Sequence, residues 1–287
     1  LAAAASLGAA AGVALIVRQL RQRRGSGNGA VARHKHSPGD AGRVDLAASS
    51  LLVTLRELGF EDARLLLVRE CERFLDFTID CAPGDADALV RSRFDAGRRL
   101  ACAVDAEAVS PTRVQLKLSR FQRLAGMLLD RQDPSSGVLL LPVGATEDGI
   151  YYLNLKATGS ALVTGGEIET SQVLSSWLSS LSTLHPADKL SLMAGGSGQD
   201  NIVGRIPRFS EGETDTRSIE QLAADLEEEI VSRQSSVDRG SRPLIVALLL
   251  LSGKGMDELT RLETAVHRGP EHGIFTICVA QQPVDVT

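Results

Sequence analysis

Residues 165–172 read Gly165-Gly166-Glu167-Ile168-Glu169-Thr170-Ser171-Gln172, after a short apolar run at 161–164 and ahead of an amphipathic stretch. Strand, glycine turn and helix is the setting in which backbone amides and a helix N-terminus hold phosphate. A working loop of this kind adds a second glycine so that amides turn inward, a lysine against the phosphate charge, and a hydroxyl for the metal ion. Those three places hold Thr170, Ser171 and Gln172. Glu167 and Glu169 add two negative charges with no lysine to offset them, which opposes a triphosphate. By residue chemistry alone the segment fits an ordinary strand–turn–helix better than a nucleotide cradle.

A second position where chemistry could sit is the end of the apolar run 243–251 (PLIVALLLL). Phosphoryl transfer there needs an acid for magnesium and a group to orient water. The chain offers Leu250 and Leu251, and two leucines hold no metal. Lys254 follows in SGKG, without phosphate-loop spacing, and reads as an exposed turn. Gln281, just past the run 273–280 (GIFTICVA), can either sense a γ-phosphate or simply end a strand. No nucleophile elbow, Ser/His/Asp order or HExxH occurs. Gly25, Gly27 and Gly29 follow no strand, so they are not a dinucleotide fingerprint. Cys71, Cys81, Cys102 and Cys278 lie far apart with no CxxC pair, which argues against structural zinc and a disulfide scaffold and leaves them as small apolar fillers. His34 and His36 stand beside Arg33 and Lys35 and read as a solvated basic patch rather than metal ligands.

The elements that must position these residues are legible as periodicities. Residues 138–143 and 150–155 flank Glu147-Asp148-Gly149 and read as a β-hairpin. Strand 161–164, helix 170–184, strand 189–194, helix 219–232, strand 243–251, helix 257–267 and strand 273–280 then alternate. That order implies right-handed crossovers and a parallel sheet covered on both faces, spanning about 136–287. Ahead of it, residues 44–130 read as a small α+β unit. Leu46, Leu51, Leu52, Leu55 and Leu58 mark a helix ending near Gly59, residues 85–100 carry helical spacing, and Leu75 to Cys81 and Val114 to Leu118 alternate as strands with one wet face.

Composition bounds the function. A net charge of −5 argues against a chain that coats nucleic acid through bulk positive charge, and 3% aromatic residues argue against a base-stacking platform. DNA as a partner is therefore unsupported by charge. Residues 1–17 (LAAAASLGAAAGVALIV) carry no charge, and Arg18, Arg21, Arg23 and Arg24 follow at once. The stretch reads as a transmembrane helix (1–22) at the short end of the roughly 17–25 residues needed, with its C-terminal side cytoplasmic; the alternative is an Ala-rich soluble helix. Residues 23–43 read as a flexible basic linker. A start at Leu1 without Met, and a stop just after an apolar run, are expected of part of something longer.

With these pieces in order, the second half of the chain resembles the motor domain of FtsK/SpoIIIE-type translocases. The likeness is carried by residues 141–166 (LPVGATEDGIYYLNLKATGSALVTGG), 171–196 (SQVLSSWLSSLSTLHPADKLSLMAGG), 219–234 (IEQLAADLEEEIVSRQ), 242–251 (RPLIVALLLL) and 267–286 (HRGPEHGIFTICVAQQPVDV), with Gly269, Gly273, Ile274, Gln281 and Pro283 in matching places. The resemblance implies a RecA/P-loop-like α/β fold, oligomers with motor-type domains, and ATP with magnesium as the family's cofactors. It also puts the family's lysine at Ser171, its metal-binding hydroxyl at Gln172 and its acidic pair at Leu250 and Leu251. Of the nucleotide-handling elements, Gly165 and Gln281 remain. The expectation is a degenerate, non-hydrolysing module of a DNA-translocation or secretion machine, with no catalytic residue, no metal and no bound cofactor. The alternatives implied are an active ATP-dependent DNA or protein translocase using other contacts, and a multidomain transcriptional regulator carrying an inactive module.

Overall fold

A computed structural model describes residues 38–119, 138–185, 188–196, 218–235, 242–251 and 262–281. The expected membrane segment 1–22, residues 23–37 of the linker (including His34 and His36), Lys254 and Pro283 lie outside the described residues; residues 38–43, expected as the end of the linker, are instead the first turns of a helix. Among the described residues no helix is long and apolar enough to cross a membrane. The chain divides into two units, Arg23–Ala157 and, with Leu1–Gln22, Thr158–Thr287.

In the first unit, Val44, Ala47, Ala48, Leu51 and Leu55 recur at helical spacing on α1 (Pro38–Glu57) and are buried. The helix closes at Gly59, whose φ of 94° no side-chain-bearing residue adopts easily, while the Phe60 N–H reaches back to the Leu55 carbonyl. The helical spacing of 85–100 resolves into two helices, α2 (Asp85–Arg91) and α3 (Arg93–Leu100), which meet at Ser92. These helices pack on an antiparallel sheet of six strands: β1 (Arg64–Glu70), β2 (Phe74–Asp80), β3 (Ala103–Ser110), β4 (Arg113–Ser119), β5 (Leu140–Thr146) and β6 (Gly149–Asn154), in the order β3-β4-β2-β1-β6-β5. Leu65, Val68, Leu75, Phe77, Ile79, Val114, Leu116, Leu118 and Tyr152 form the core face with α1. On the opposite face Tyr151, Arg69, Asp76, Lys117 and Asp105 stand in one cross-strand row. Arg69 donates to Asp76 (Nε–Oδ2 2.9 Å), and the Lys117 ammonium lies 3.8 Å from the Phe74 ring centroid. Opposite charges in directly opposed positions favour this register.

The 138–155 hairpin forms as its turn residues require, but it belongs to this first sheet and does not open the second unit at 136 as the alternation implied. The reason is β6. It pairs antiparallel with β1, and the buried Asn154 amide donates to the Leu65 carbonyl (2.9 Å) while its Oδ1 accepts from the Leu139 N–H (3.1 Å). The change of unit therefore falls at Ala157/Thr158, after a single helical turn, Leu155–Thr158.

The second unit has a sheet of four strands, β7 (Ser160–Gly165), β8 (Leu190–Gly196), β9 (Leu244–Leu251) and β10 (Ile274–Gln281), in the order β7-β10-β9-β8 with every pair parallel. Helices α4 (Glu167–Leu184), α5 (Ile219–Ser235) and α6 (Glu263–Arg268) connect them. β9 residues Ile245, Ala247, Leu249 and Leu251 share one cluster with Leu222, Leu226 and Ile230 of α5 and Ala265 of α6. Val246, Leu248 and Leu250 point the other way and are equally buried. The step from β7 to β8 crosses the sheet in the direction opposite to β8–β9–β10, so a right-handed crossover sets α4 on the other face. There its Leu174, Trp177, Leu178 and Leu181 are buried. The sheet is parallel and covered on both faces, as the order of elements implied. Cys278 sits in the α5 cluster, where burial pushes its thiol up to about 12, and Cys102 is raised to about 11 for the same reason; all four cysteines are free.

Two constraints hold the edges of this sheet. At its N-terminal edge the buried Arg233 of α5 donates to the Pro243 carbonyl (2.8 Å), the His272 carbonyl (2.9 Å) and Glu229 (2.7 Å), tying the helix to the entries of β9 and β10. At its C-terminal edge Gly196 has φ 108°, and a Cβ there would stand 2.1 Å from the Leu250 carbonyl oxygen. Arg233→Ala takes the donors from two half-buried carbonyls, and we expect it to cost about 1–3 kcal/mol, read as a lowered urea midpoint with unchanged slope. Gly196→Ala should cost at least about 2 kcal/mol through clash and positive φ. A thermal midpoint within a degree of wild type would show that β8 can move off β9.

Candidate functional site

In open parallel sheets ligands sit beyond the carboxyl ends of the strands, where the direction of crossover reverses. Here that place lies between β7 and β10. Register brings the sequence-selected residues together on it: Gly165 of β7 is the ladder partner of Gln281 of β10, and Ala280 is the partner of Leu251 of β9. Adjacent strands stand about 4.8 Å apart, so Gly165, Gln281 and Leu251 span about 10 Å along one edge. Gly196 of β8 completes the row opposite Leu250.

The turn after β7 differs from the loop considered on sequence. Helix α4 starts at Glu167, not near Thr170, and Gly166 alone separates it from β7. The Gly166 carbonyl accepts from both the Thr170 N–H (3.0 Å) and the Thr170 hydroxyl (3.0 Å), so Thr170 is buried at 2% and faces its own helix. Ser171 is half-buried and Gln172 exposed, both in the second turn of α4. A phosphate-wrapping loop needs several consecutive amides converging on one point, and one residue between strand and helix does not supply them. Glu167 and Glu169 fall in the first turn of α4. A helix therefore takes up the positions that a loop was considered for, because Glu167 to Leu184 offers an unbroken amphipathic run.

Leu250 and Leu251 are 4% and 7% exposed at the end of β9. Leu251 packs in the cluster of α5 and α6, and Leu250 lies on the opposite face with Gly196 against its carbonyl. No titratable group stands on β9 from Leu244 to Leu251. Among the described residues no group of three or more His, Cys, Asp or Glu could hold a metal ion. Among the described residues the β7–α4 turn holds no lysine and β9 no carboxylate, so these residues alone do not make a ligand set for ATP with magnesium. Gly195 and Gly196, which carried no signal on sequence, are the positions that let β8 and α5 approach the edge; a Cβ at Gly195 would meet the Leu222 side chain at 2.9 Å. Their adjacent placement after an apolar run is the signal that could have found them.

No family model matches the chain, and no curated protein matches it. Among solved structures it is similar to the monomer form, with ATPγS, of the pCW3 conjugation coupling protein TcpA, at 14% identity and a TM-score of 0.38 over 82% of this chain and 77% of that one. It is similar also to Thermomonospora curvata EccC (ATPases 2 and 3) in complex with a signal sequence peptide, at 14% identity and a TM-score of 0.40 over 50% of this chain and 29% of that one. EssC (ATPases 2 and 3) from Geobacillus thermodenitrificans gives 17% identity and a TM-score of 0.37 over 49% and 32%. The chain thus spans less than a third of the EccC and EssC structures.

Proposed function

We propose that the second unit is an FtsK/SpoIIIE-like module that does not hydrolyse nucleotide and serves as a scaffold or binding part of a translocation or secretion machine. The observation that carries this reading is the C-terminal edge of the parallel sheet. Phosphoryl transfer is mostly positioning and stabilisation of charge. At the point of the edge where a metal would be held stand two buried leucines, and where phosphate would be wrapped a one-residue turn enters a helix with two acidic residues in its first turn. The five sequence blocks that resemble the motor family support the choice of machine. The uncharged stretch 1–17 and the arginines after it support a membrane tether with the folded units on the cytoplasmic side. Partners are further motor-type domains, in homo- or hetero-oligomers.

Ligand at 100 times its Kd adds about 2.7 kcal/mol to stability, a shift of roughly 5–10 °C in a domain of this size. With millimolar ATP and magnesium we expect no shift in the thermal midpoint of the full chain; a clear upward shift would overturn the inactive assignment. Ser171→Lys alone should release no phosphate from ATP, because the new ammonium stands in the second turn of α4 and Leu250 and Leu251 still hold no metal. Phosphate release by this variant above wild type, abolished by EDTA, would place the metal elsewhere than the end of β9.

A further inference from the structure

Helix α1 carries a carboxylate in an apolar setting. Asp45 is half-buried beside Val44 and Ala48, which are 0% exposed, and its Oδ1 is enclosed without a hydrogen-bond partner. An enclosed carboxylate oxygen with no donor is costly when charged and cheap when protonated. Among the described residues no charged group is placed to offset it. α1 packs on β1 and α3. On β1, Leu65 and Val68 face the core, Arg69 is engaged by Asp76, Glu70 accepts from the Tyr152 hydroxyl (2.9 Å), and Arg64 is exposed. On α3, Arg98 pairs with Asp95, while Arg99 binds Glu57 (2.6 Å), twelve positions and about 18 Å along α1 from Asp45. Arg43 lies about 200° round the helix from it. Burial alone shifts the group, raising its pKa from 3.8 to about 7.

We propose that α1 is a proton-dependent latch: it docks on its sheet with Asp45 protonated and loosens as Asp45 loses the proton. The sign follows from linkage. The docked form keeps its proton up to about pH 7 and the undocked form releases it near 3.8, so docking weakens as pH rises through this window, and the loss is complete above it. Between pH 6 and pH 8 the docking equilibrium falls about tenfold.

Amide hydrogen exchange on the full chain at pH 6, 7 and 8, corrected for intrinsic rates, tests this with β4 as the internal reference. We expect the protection of α1 relative to β4 to fall about tenfold from pH 6 to pH 8 in the wild type, and to be flat in Asp45→Asn. A flat wild-type ratio, an equal fall in β4, or an Asp45→Asn profile like the wild type would each overturn the proposal. If Asp45→Asn does not fold, Asp45→Ala takes its place. The wild-type ratio needs neither variant to overturn the latch.

Discussion

β9 is apolar at every position from Leu244 to Leu251, and a strand of that kind is stable only with both faces covered. Most of the second unit follows from this requirement. β10 and β8 flank β9, α5 and α6 close one face, and the β7-to-β8 crossover carries α4 over the other. With every strand parallel, their carboxyl ends come into line, and Gly165, Gln281, Leu251 and Gly196 meet at one edge. Arg233 closes the opposite edge by filling its donors with carbonyls from the entries of β9 and β10.

That same requirement extends to the last residue of β9. A carboxylate at Leu251 would face Leu222, Leu226 and Met193 in a dry cluster, and an unpaired charge is not tolerated in such surroundings. Strand ends that handle metal keep their acids wet and open, whereas this one continues the core to its tip. At the short β7–α4 turn, beginning the helix at Glu167 commits the Thr170 amide to the Gly166 carbonyl.

The first unit solves its burial problem differently. Its sheet is antiparallel, with helices on one face, so alternate residues of β2 and β4 divide into a core set and a polar set. The polar set is ordered as a row of opposed charges, Arg69–Asp76–Lys117–Asp105, which fixes register on the side where hydrophobic contacts cannot. Asp45 is the exception to this division, a half-buried carboxylate beside the buried face of its helix, with one oxygen enclosed.

Local pattern in the sequence was enough to place α1, β2, β4, the hairpin and the alternating elements of the second unit, because helix and strand periods are written in residues a few positions apart. Also legible there was the residue content of the two segments, with no lysine from Gly165 to Gln172 and no carboxylate from Leu244 to Leu251. β1 and β3 were missed. Leu65, Leu66 and Leu67 run together across a β-bulge, and β3 alternates alanine and valine with acids too weakly at an exposed edge. Only tertiary structure decided that the hairpin belongs to the first sheet and that Gly196 leans on Leu250. Each of these depends on a partner distant in the chain: β1 for the hairpin, β10 and β9 for the edge. Such long-range pairing is settled by which surfaces can be buried together, a quantity that neighbouring residues do not contain.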